Sequence, residues 1–380
     1  MIDTPPPAAS ALPPPVIERP AAYEVSYGIV AGRAARGAER VIVRIDGKVA
    51  RKLRLTQRVF RLDVDLPPRE VEVRVETVDA AGRRAGRTVA HVFGLPRSAR
   101  PRLRLLRPDV RLQAAVGRLA GGFSGTAGAY LENLGTGAGA AWNARATFPA
   151  ASTLKLAIAV SVLTRTQSPP ARGSSLDRLI RTMLDASDNE SANRLLIGLG
   201  GSTSAGGHLV DAVMRSIGLE RTVMYGGYVL GTSLASDRGI AARGVPLGVL
   251  EQPAWGVGKA TTALDLARLH RAVWLASGGL GPLVHGRSGV SPAEARYLLY
   301  VLAHVGDGRK LGRFVGARPG LVVLHKAGWI DPARHDAGIV VWRGGIFVAA
   351  VMTYDGGGAG TRSDVFAGRV ALAALRAFSG

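Results

Sequence analysis

The spacing of apolar residues changes near residue 100 of this 380-residue chain. Before that point apolar and charged residues alternate, as in VEVRVE at 71–76. A period of two is typical of β-strands that are buried on one face. The turn-forming sequences DGK at 46–48 and DAAGR at 79–83 predict hairpins between such strands. We therefore predict that residues 21–95 form a small all-β sandwich of immunoglobulin-like type, without a cluster of catalytic residue types.

Beyond this module the apolar spacing becomes helical, and strand-like runs return near the C-terminus. Two strands around a glycine-rich turn, then a block of helices, then three strands and a last helix indicate an α+β fold. We predict an antiparallel sheet that is closed by both ends of the domain and flanked by helices. The predicted helices lie at 110–122, 152–165, 176–185, 189–199, 207–217, 261–276, after Ser291, and at 363–378.

The chain is long enough for two domains, each with its own core. Residues 1–20 are rich in proline and are predicted to be a disordered tail. A basic, proline-punctuated linker is predicted at 96–109, followed by the α+β domain at 110–380. No stretch is long and apolar enough to cross a membrane. The N-terminal segment also lacks the pattern of a signal peptide.

The chain has a formal net charge of +21, and residues 31–111 are especially rich in arginine. This charge predicts either a solvated strand face or a surface for an anionic partner such as cell wall, lipid or nucleic acid. Aromatic residues that would stack on bases are not interleaved with the arginines, so specific nucleic-acid binding is not expected. The chain contains no cysteine, which excludes disulfides and thiolate chemistry.

One apolar helix carries a serine at its start and a lysine three residues later, in FPAASTLKLAIAV at 148–160. The spacing places Ser152 and Lys155 on one face of the helix. A helix N-terminus favours developing negative charge. A buried lysine is costly unless its proton or charge is used, and burial lowers its pKa so that it can take a proton from a serine hydroxyl. Ser152 and Lys155 are therefore a candidate nucleophile and base.

Two further motifs follow in the chain. Ser187–Asp188–Asn189 stands at the predicted start of a helix, where the same residue types also serve as N-caps. Lys326–Ala327–Gly328 stands in an apolar strand, where small residues allow a substrate backbone to approach the strand edge. The alternative for Lys326 is an edge-strand lysine that prevents aggregation.

The order S-x-x-K, S-D-N, K-x-G is that of the penicillin-recognising motif set. Residues from about 110 to 380 thus resemble the class A β-lactamase and penicillin-binding-protein superfamily. The sequences FPAASTLK, SDNESAN and RHDAGIV are similar to the signatures of β-lactamase-like serine hydrolases. The β-rich module lies outside this resemblance.

The resemblance implies a role for each motif residue. Ser152 would be the acylated nucleophile, and Lys155 would take its proton directly or through water. Ser187 would relay a proton to the departing nitrogen. Asn189 would bind the side-chain amide of the substrate, and Lys326 would attract its carboxylate.

The resemblance also implies an oxyanion hole made by the backbone N–H groups of Ser152 and Trp329. Substrate would pass along Ala327 and Gly328. The family has a threonine at the position of Ala327, and its hydroxyl binds the substrate carboxylate. Alanine cannot do so, and we expect Arg334 or His335 on the next strand to compensate.

A second departure concerns the glutamate that activates the deacylating water in class A enzymes. Alignment of GLERTVMYGGYVLGTSL places Tyr228 at that position. Glu220 comes eight residues before Tyr228 and is therefore too early, and the spacing supports neither Asp237 nor Glu251. Deacylation is therefore expected to be slow unless Lys155 or another group acts twice.

The histidines are weaker candidates. His325 should face away from Lys326 and serve in packing. A triad of Ser152 with His335 and Asp336 is disfavoured because Lys155 already supplies a base. Histidine spacing indicates no zinc site, and neither a metal nor a cofactor is expected.

Together these features predict a serine hydrolase that acts on β-lactams or related amides and esters. The alternatives are a D-Ala-D-Ala carboxypeptidase or transpeptidase with a peptidoglycan-like substrate, or a penicillin-binding relic with impaired catalysis. We expect a monomer outside the cytoplasm, where substrates of the superfamily lie. Its basic N-terminal module is expected to contact an anionic cell-wall surface.

Overall fold

The computed structural model describes residues 11–230, 258–284 and 289–379. The chain divides into two compact units, residues 1–97 and 98–380. Among the described residues, no helix has both the length and the apolarity that spanning a membrane requires.

The described part of the N-terminal unit is all β and forms two sheets. The smaller has the order β1-β3-β6 and the larger the order β2-β8-β7-β4-β5. The strands are β1 (Val16–Arg19), β2 (Glu24–Ser26), β3 (Ile29–Arg33), β4 (Ala38–Ile45), β5 (Lys48–Arg54), β6 (Val59–Asp63), β7 (Glu70–Asp79) and β8 (Arg84–Gly94).

Both sheets of this unit contribute side chains to one apolar core. Val30 and Phe60 come from the smaller sheet, and Val41, Val43 and Val73 from the larger. The valines of β7 are buried and the charged residues between them are more exposed, as the alternation predicts. Both predicted hairpin turns are confirmed, one between β4 and β5 and one between β7 and β8.

Strand β1 lies in the segment expected to be a disordered tail. Val16 pairs with Arg33 and Ile17 with Gly32, and Ile17 packs against the core. The strand has four residues and directly follows three prolines, so its own sequence carries little strand signal. Pairing with β3, which is distant in sequence, orders it.

The C-terminal unit has the predicted α+β architecture. Its strands are β9 (Arg107–Pro108), β10 (Thr126–Asn133), β11 (Ala138–Trp142), β12 (Thr147–Pro149), β13 (Ala260–Thr262), β14 (Leu321–Ile330), β15 (Ala333–Trp342) and β16 (Gly345–Tyr354). Its helices are α1 (Val110–Gly121), α2 (Lys155–Leu163), α3 (Ser175–Asp185), α4 (Asn189–Gly200), α5 (Thr203–Ser216), α6 (Ala263–Ser277), α7 (Pro292–Leu302) and α8 (Thr361–Ser379).

The main sheet of this unit has the order β14-β15-β16-β10-β11-β9. β10 and β11, from the start of the unit, thus join the three C-terminal strands, as predicted. Phe347, Ala349 and Val351 of β16 pack in a cluster with α1 and α8, and the residues between them are buried as well. α6 packs against β10, β15 and β16, so helices cover both faces of the sheet.

The segment expected to be a linker is partly bound to the C-terminal unit. β9 pairs in parallel with β11, and the indole N–H of Trp274 donates to the carbonyl oxygen of Ala99 at 2.8 Å. These contacts join residues far apart in sequence, so the local proline and arginine content could not indicate them.

Candidate active site

Ser152 lies where the short strand β12 turns into α2. The α-helix begins at Lys155 rather than at Ser152, because a 3₁₀ turn spans Ala151–Leu154. Ala151 has φ 48°, in the left-handed region that is uncommon for alanine. This strained turn lifts Ser152 out of the buried helix to the pocket wall, while Lys155 lies one turn below.

Lys155 is fully buried, and its ammonium contacts Ser152 of the first motif and two residues of the second, Ser187 and Asn189. Its Nζ lies 3.0 Å from the Ser152 Oγ, 2.6 Å from the Asn189 Oδ1 and 2.5 Å from the Ser187 carbonyl oxygen. The predicted pair of Ser152 and Lys155 is therefore within hydrogen-bond distance, and the second motif meets the same ammonium.

The second motif, Ser187–Asp188–Asn189, both caps a helix and contributes residues to the site. Asp188 is the N-cap of α4, and its carboxylate accepts from the Ser191 N–H at 2.7 Å. Ser187 and Asn189, on either side of this cap, are turned to Lys155 instead. Ser187 has φ 56°, again in the left-handed region.

Lys326 on β14 approaches Ser187 from the other side. Its Nζ lies 3.0 Å from the Ser187 Oγ and 3.0 Å from the Ala327 carbonyl oxygen. Lys155 Nζ is 3.4 Å from the same Ser187 Oγ. The three motifs therefore converge, with the Ser187 hydroxyl between two lysines.

The burial of these lysines changes their titration. Burial lowers the pKa of Lys155 to about 7, and the charge of Lys326 lowers it further while Asp188 opposes the shift. Burial likewise lowers the pKa of Lys326 to about 8, and Asp336 opposes that shift. Near neutral pH a large share of Lys155 is thus uncharged and can accept a proton, while most of Lys326 keeps its charge.

Gly328 allows β14 to lie against the serine turn. A Cβ atom at this position would stand 2.7 Å from the Thr153 nitrogen and 2.8 Å from the Ser152 nitrogen, closer than real Cβ contacts. The Ser152 backbone nitrogen is therefore beside β14, next to the residue expected to complete the oxyanion hole. That residue, Trp329, is 63% exposed and lines the pocket.

Tyr228 is buried beside both the base and a lysine that the sequence analysis did not select. Lys155 Nζ lies 4.5 Å and Lys259 Nζ 4.3 Å from the centroid of its ring. The Tyr228 hydroxyl donates to the Ala151 carbonyl oxygen at 3.2 Å. Burial raises the pKa of this hydroxyl far above its ordinary value, so it stays protonated and cannot act as a base at neutral pH.

Asn193, one helical turn after Asn189, holds the backbone of Tyr228. Its Oδ1 accepts from the Tyr228 N–H at 2.6 Å, and its Nδ2 donates to the Tyr228 carbonyl oxygen at 2.7 Å. Asn189 in turn donates to the Val229 carbonyl oxygen at 2.8 Å. The sequence analysis did not select Asn193. Its spacing of four residues from Asn189 in SDNESAN places the two asparagines on one face of the helix and could have indicated it.

A pocket of about 490 Å³ opens in front of Ser152. None of the described residues that line it is an aspartate or glutamate, and Glu220 is exposed elsewhere. Asp237 and Glu251 lie outside the described residues. The lining residues are Pro149, Ala151, Ser152, Asn189, Tyr228, Val229, Gly258, Lys259, Trp329, Ile330, Pro332 and Tyr354.

The two residues expected to compensate for Ala327 have different surroundings. The Arg334 guanidinium pairs with Asp364, Nε to Oδ1 at 3.2 Å, and lies 5.9 Å from the ring centroid of Trp329, which lines the pocket. His335 is buried, and its Nε2 donates to the Pro149 carbonyl oxygen at 2.6 Å while its Nδ1 accepts from the Thr353 N–H. His335 is therefore not available to a substrate carboxylate, whereas Arg334 lies beside a residue of the pocket wall.

The same contacts argue against a triad with Ser152. Both ring nitrogens of His335 are engaged with backbone groups, and burial lowers its pKa to about 4. Asp336 instead pairs with the buried His325, Oδ1 to Nδ1 at 2.8 Å. The prediction that His325 serves in packing is consistent with this buried pair.

Comparison with known proteins identifies relatives of the C-terminal unit. Residues 111–172 and 165–378 match the model of the β-lactamase enzyme family. No curated protein matches the chain in sequence. Among solved structures, a mutant of PBP-A in an acyl-enzyme complex with penicillin G is 23% identical, covers 73% of this chain and 99% of its own, and has a TM-score of 0.55.

Two β-lactamase structures show the same likeness. A β-lactamase from Sphaerobacter thermophilus is 22% identical and covers 70% of this chain and 96% of its own, with a TM-score of 0.51. A class A β-lactamase from Mycobacterium abscessus is 19% identical and covers 71% of this chain and 100% of its own, with a TM-score of 0.53. At these identities the comparison shows a shared fold.

Proposed function

Because this chain belongs to the β-lactamase enzyme family, we propose that it is a serine hydrolase that forms an acyl-enzyme at Ser152. Its substrates are β-lactams or related amides and esters. The observation that carries the proposal is the buried Lys155 ammonium, 3.0 Å from the Ser152 Oγ and with a pKa lowered to about 7. A serine hydroxyl becomes an effective nucleophile when a neighbouring base takes its proton.

Acylation uses the motif residues in sequence. Neutral Lys155 takes the proton of Ser152 as the Oγ attacks the substrate carbonyl carbon. The backbone N–H groups of Ser152 and Trp329 stabilise the oxyanion of the tetrahedral intermediate. The bond from carbon to nitrogen then breaks, and the leaving nitrogen receives a proton through Ser187. Lys326 supports this relay and attracts an anionic substrate group.

For release of the acyl group, the described pocket lining supplies no carboxylate base. Deacylation needs a water activated by a base. Tyr228 stays protonated, and the described pocket lining has no carboxylate. This favours a second candidate function, a penicillin-binding peptidase or transpeptidase whose β-lactam adduct is long-lived. A mutant of PBP-A, which shares the fold, is described in an acyl-enzyme complex with penicillin G.

Intact-protein mass spectrometry tests the proposal. The protein is incubated with several β-lactams and activated esters, and adducts are followed over time after excess ligand is removed. We expect an adduct on the wild type and none on Ser152→Ala. Rapid loss of the adduct with turnover indicates the hydrolase, and persistence together with peptide turnover indicates the peptidase. No adduct on the wild type, or the same adduct on Ser152→Ala, contradicts both.

The N-terminal unit is proposed to be an immunoglobulin-like module that attaches the protein to an anionic cell-wall polymer, outside the cytoplasm. On the outer face of its larger sheet, arginines lie opposite each other on adjacent strands, Arg40 opposite Arg54 and Arg44 opposite Arg74. Glu76 partly neutralises the second pair, with contacts to Arg44 at 3.4 Å and Arg74 at 2.9 Å. Cations remain in excess on this face, which suits a polyanion.

Sedimentation with purified cell walls, with and without their anionic polymers, tests this attachment. Arg40, Lys52 and Arg54, all exposed, are replaced together by glutamine. We expect the wild type to bind in a salt-sensitive way and the triple variant to lose at least about tenfold in affinity. Three exposed arginines elsewhere in the unit provide a control of equal charge: Arg33, Arg36 and Arg61. Equal binding by both variants contradicts the proposal.

A further inference from the structure

Lys259 occupies a position in the pocket that none of the three motifs explains. It is the sole charged residue among the described residues that line the pocket. Its backbone carbonyl oxygen accepts from the Ala150 N–H at 2.7 Å. This bond ties Lys259 to the segment that leads into Ser152, so the ammonium belongs to the same rigid wall as the nucleophile.

The contacts of Lys259 set the direction of its side chain. The Nζ lies 4.3 Å from the ring centroid of Tyr228 and donates to the Gly227 carbonyl oxygen. Tyr228 is itself held through both backbone groups by Asn193. The Lys259 side chain is partly exposed and lines the pocket, where a cation placed over an aromatic ring can attract an anionic group.

The position of Lys259 in the pocket determines which part of the substrate it would contact, an inference that rests on the proposed function. A substrate carbonyl bound at Ser152 has its leaving nitrogen towards Ser187 and Lys326. Its acyl substituent must extend in another direction. Asn189, expected to bind the side-chain amide of the substrate, and Lys259 contact the same segment of the pocket wall: Asn189 donates to the Val229 carbonyl oxygen, and the Lys259 Nζ lies over the adjacent Tyr228 ring. Lys259 is thus placed on the side of Asn189.

We propose that Lys259 binds an anionic group on the acyl side of the substrate, so that acyl groups bearing a carboxylate are preferred. Lys326 and Lys259 would then attract two different substrate anions, one on the leaving-group side and one on the acyl side. The pocket lining offers no described carboxylate that would favour a cationic acyl group instead. Lys259 is thus a specificity-determining residue.

Three penicillins that differ only at the side-chain α-carbon test this assignment. Benzylpenicillin carries hydrogen there, ampicillin an ammonium and carbenicillin a carboxylate. The second-order rate of Ser152 acylation is measured for each, and the ratio of carbenicillin to ampicillin is the readout. This ratio cancels any effect of Lys259 on the basicity of Lys155, which acts on all three substrates alike.

We expect the wild-type ratio to exceed one and Lys259→Met to lower it by roughly tenfold, with Lys259→Arg retaining most of it. Arg318→Met removes an equally charged, exposed side chain of the same unit and should leave the ratio unchanged. A ratio that Lys259→Met does not change, or that both Met variants lower equally, overturns the assignment. Absence of acylation by all three penicillins would instead contradict the proposed function.

Discussion

The Nζ of Lys155 lies 3.0 Å from the Oγ of Ser152, in a helix that is buried from Lys155 to Leu163. Burial gives this distance its chemical meaning, because it lowers the pKa of the ammonium to about 7. An exposed lysine at the same spacing would keep its proton at neutral pH and could not take another. The apolar helix thus makes Lys155 a candidate base.

Replacement of Lys155 should slow acylation strongly without removing the pocket. We expect Lys155→Ala to slow acylation of Ser152 by about 10²–10⁴-fold, the usual contribution of a general base. Lys155→Arg keeps a cation but cannot deprotonate near neutral pH, so it should be equally slow. Stopped-flow kinetics with a chromogenic β-lactam measures both, with circular dichroism as a check of folding. Near-wild-type acylation by the arginine variant would exclude Lys155 as the base.

The pH dependence of acylation should be bell-shaped. Lys155 must be neutral, so the rate rises with pH on a limb centred near 7. Lys326 must be charged to attract substrate, so the rate falls again on a limb centred near 8. The second-order acylation rate at each pH gives both limbs. Lys326→Met should lower the rate and remove the descending limb, and persistence of that limb would assign it to another group.

Gly328 is predicted to be intolerant of any side chain. In Gly328→Ala the new Cβ would stand less than 3 Å from backbone nitrogens of the serine turn. We expect a loss of about 1–3 kcal/mol in the free energy of unfolding, together with slower acylation. Gly356→Ala is the matched control, since a Cβ there meets no atom within 4 Å. Denaturant unfolding measures both, and equal effects would contradict the close approach of β14 to Ser152.

Tyr228 should determine the lifetime of the acyl-enzyme. In Tyr228→Glu a carboxylate replaces the protonated hydroxyl beside Lys155 and Lys259 and can activate water. We expect the adduct to be released at least about 10²-fold faster. Tyr228→Gln has the same size without a base and should not accelerate release. Adduct decay measured by mass spectrometry separates them, and equal acceleration in both would point to water access rather than to the absent base.

The sequence predicted those parts of the molecule that depend on local pattern. Apolar spacing indicated the helices and the three C-terminal strands, and the two lysines with Ser187 were selected by motif order. The parts that it missed depend on contacts between distant segments. β1 is ordered by β3 and β9 by β11.

In the site, too, the features that the sequence did not predict depend on contacts between distant segments. Lys259 enters the pocket because its backbone hydrogen-bonds to Ala150. The Arg334 guanidinium is held by Asp364, which lies in a different element. No spacing rule contains either contact. The left-handed backbone conformation of Ala151 and Ser187 also could not be predicted from the sequence, because neither residue type favours that conformation.

Localisation of the acyl group tests the central claim most directly. The protein is treated with benzylpenicillin, digested, and the modified peptide is sequenced by tandem mass spectrometry. We predict that the penicilloyl group is on Ser152 in the peptide containing FPAASTLK, and that the adduct is lost in Ser152→Ala. Attachment to Ser187 or to another residue, or no attachment under conditions in which the protein is folded, would contradict the assignment of Ser152 as the nucleophile.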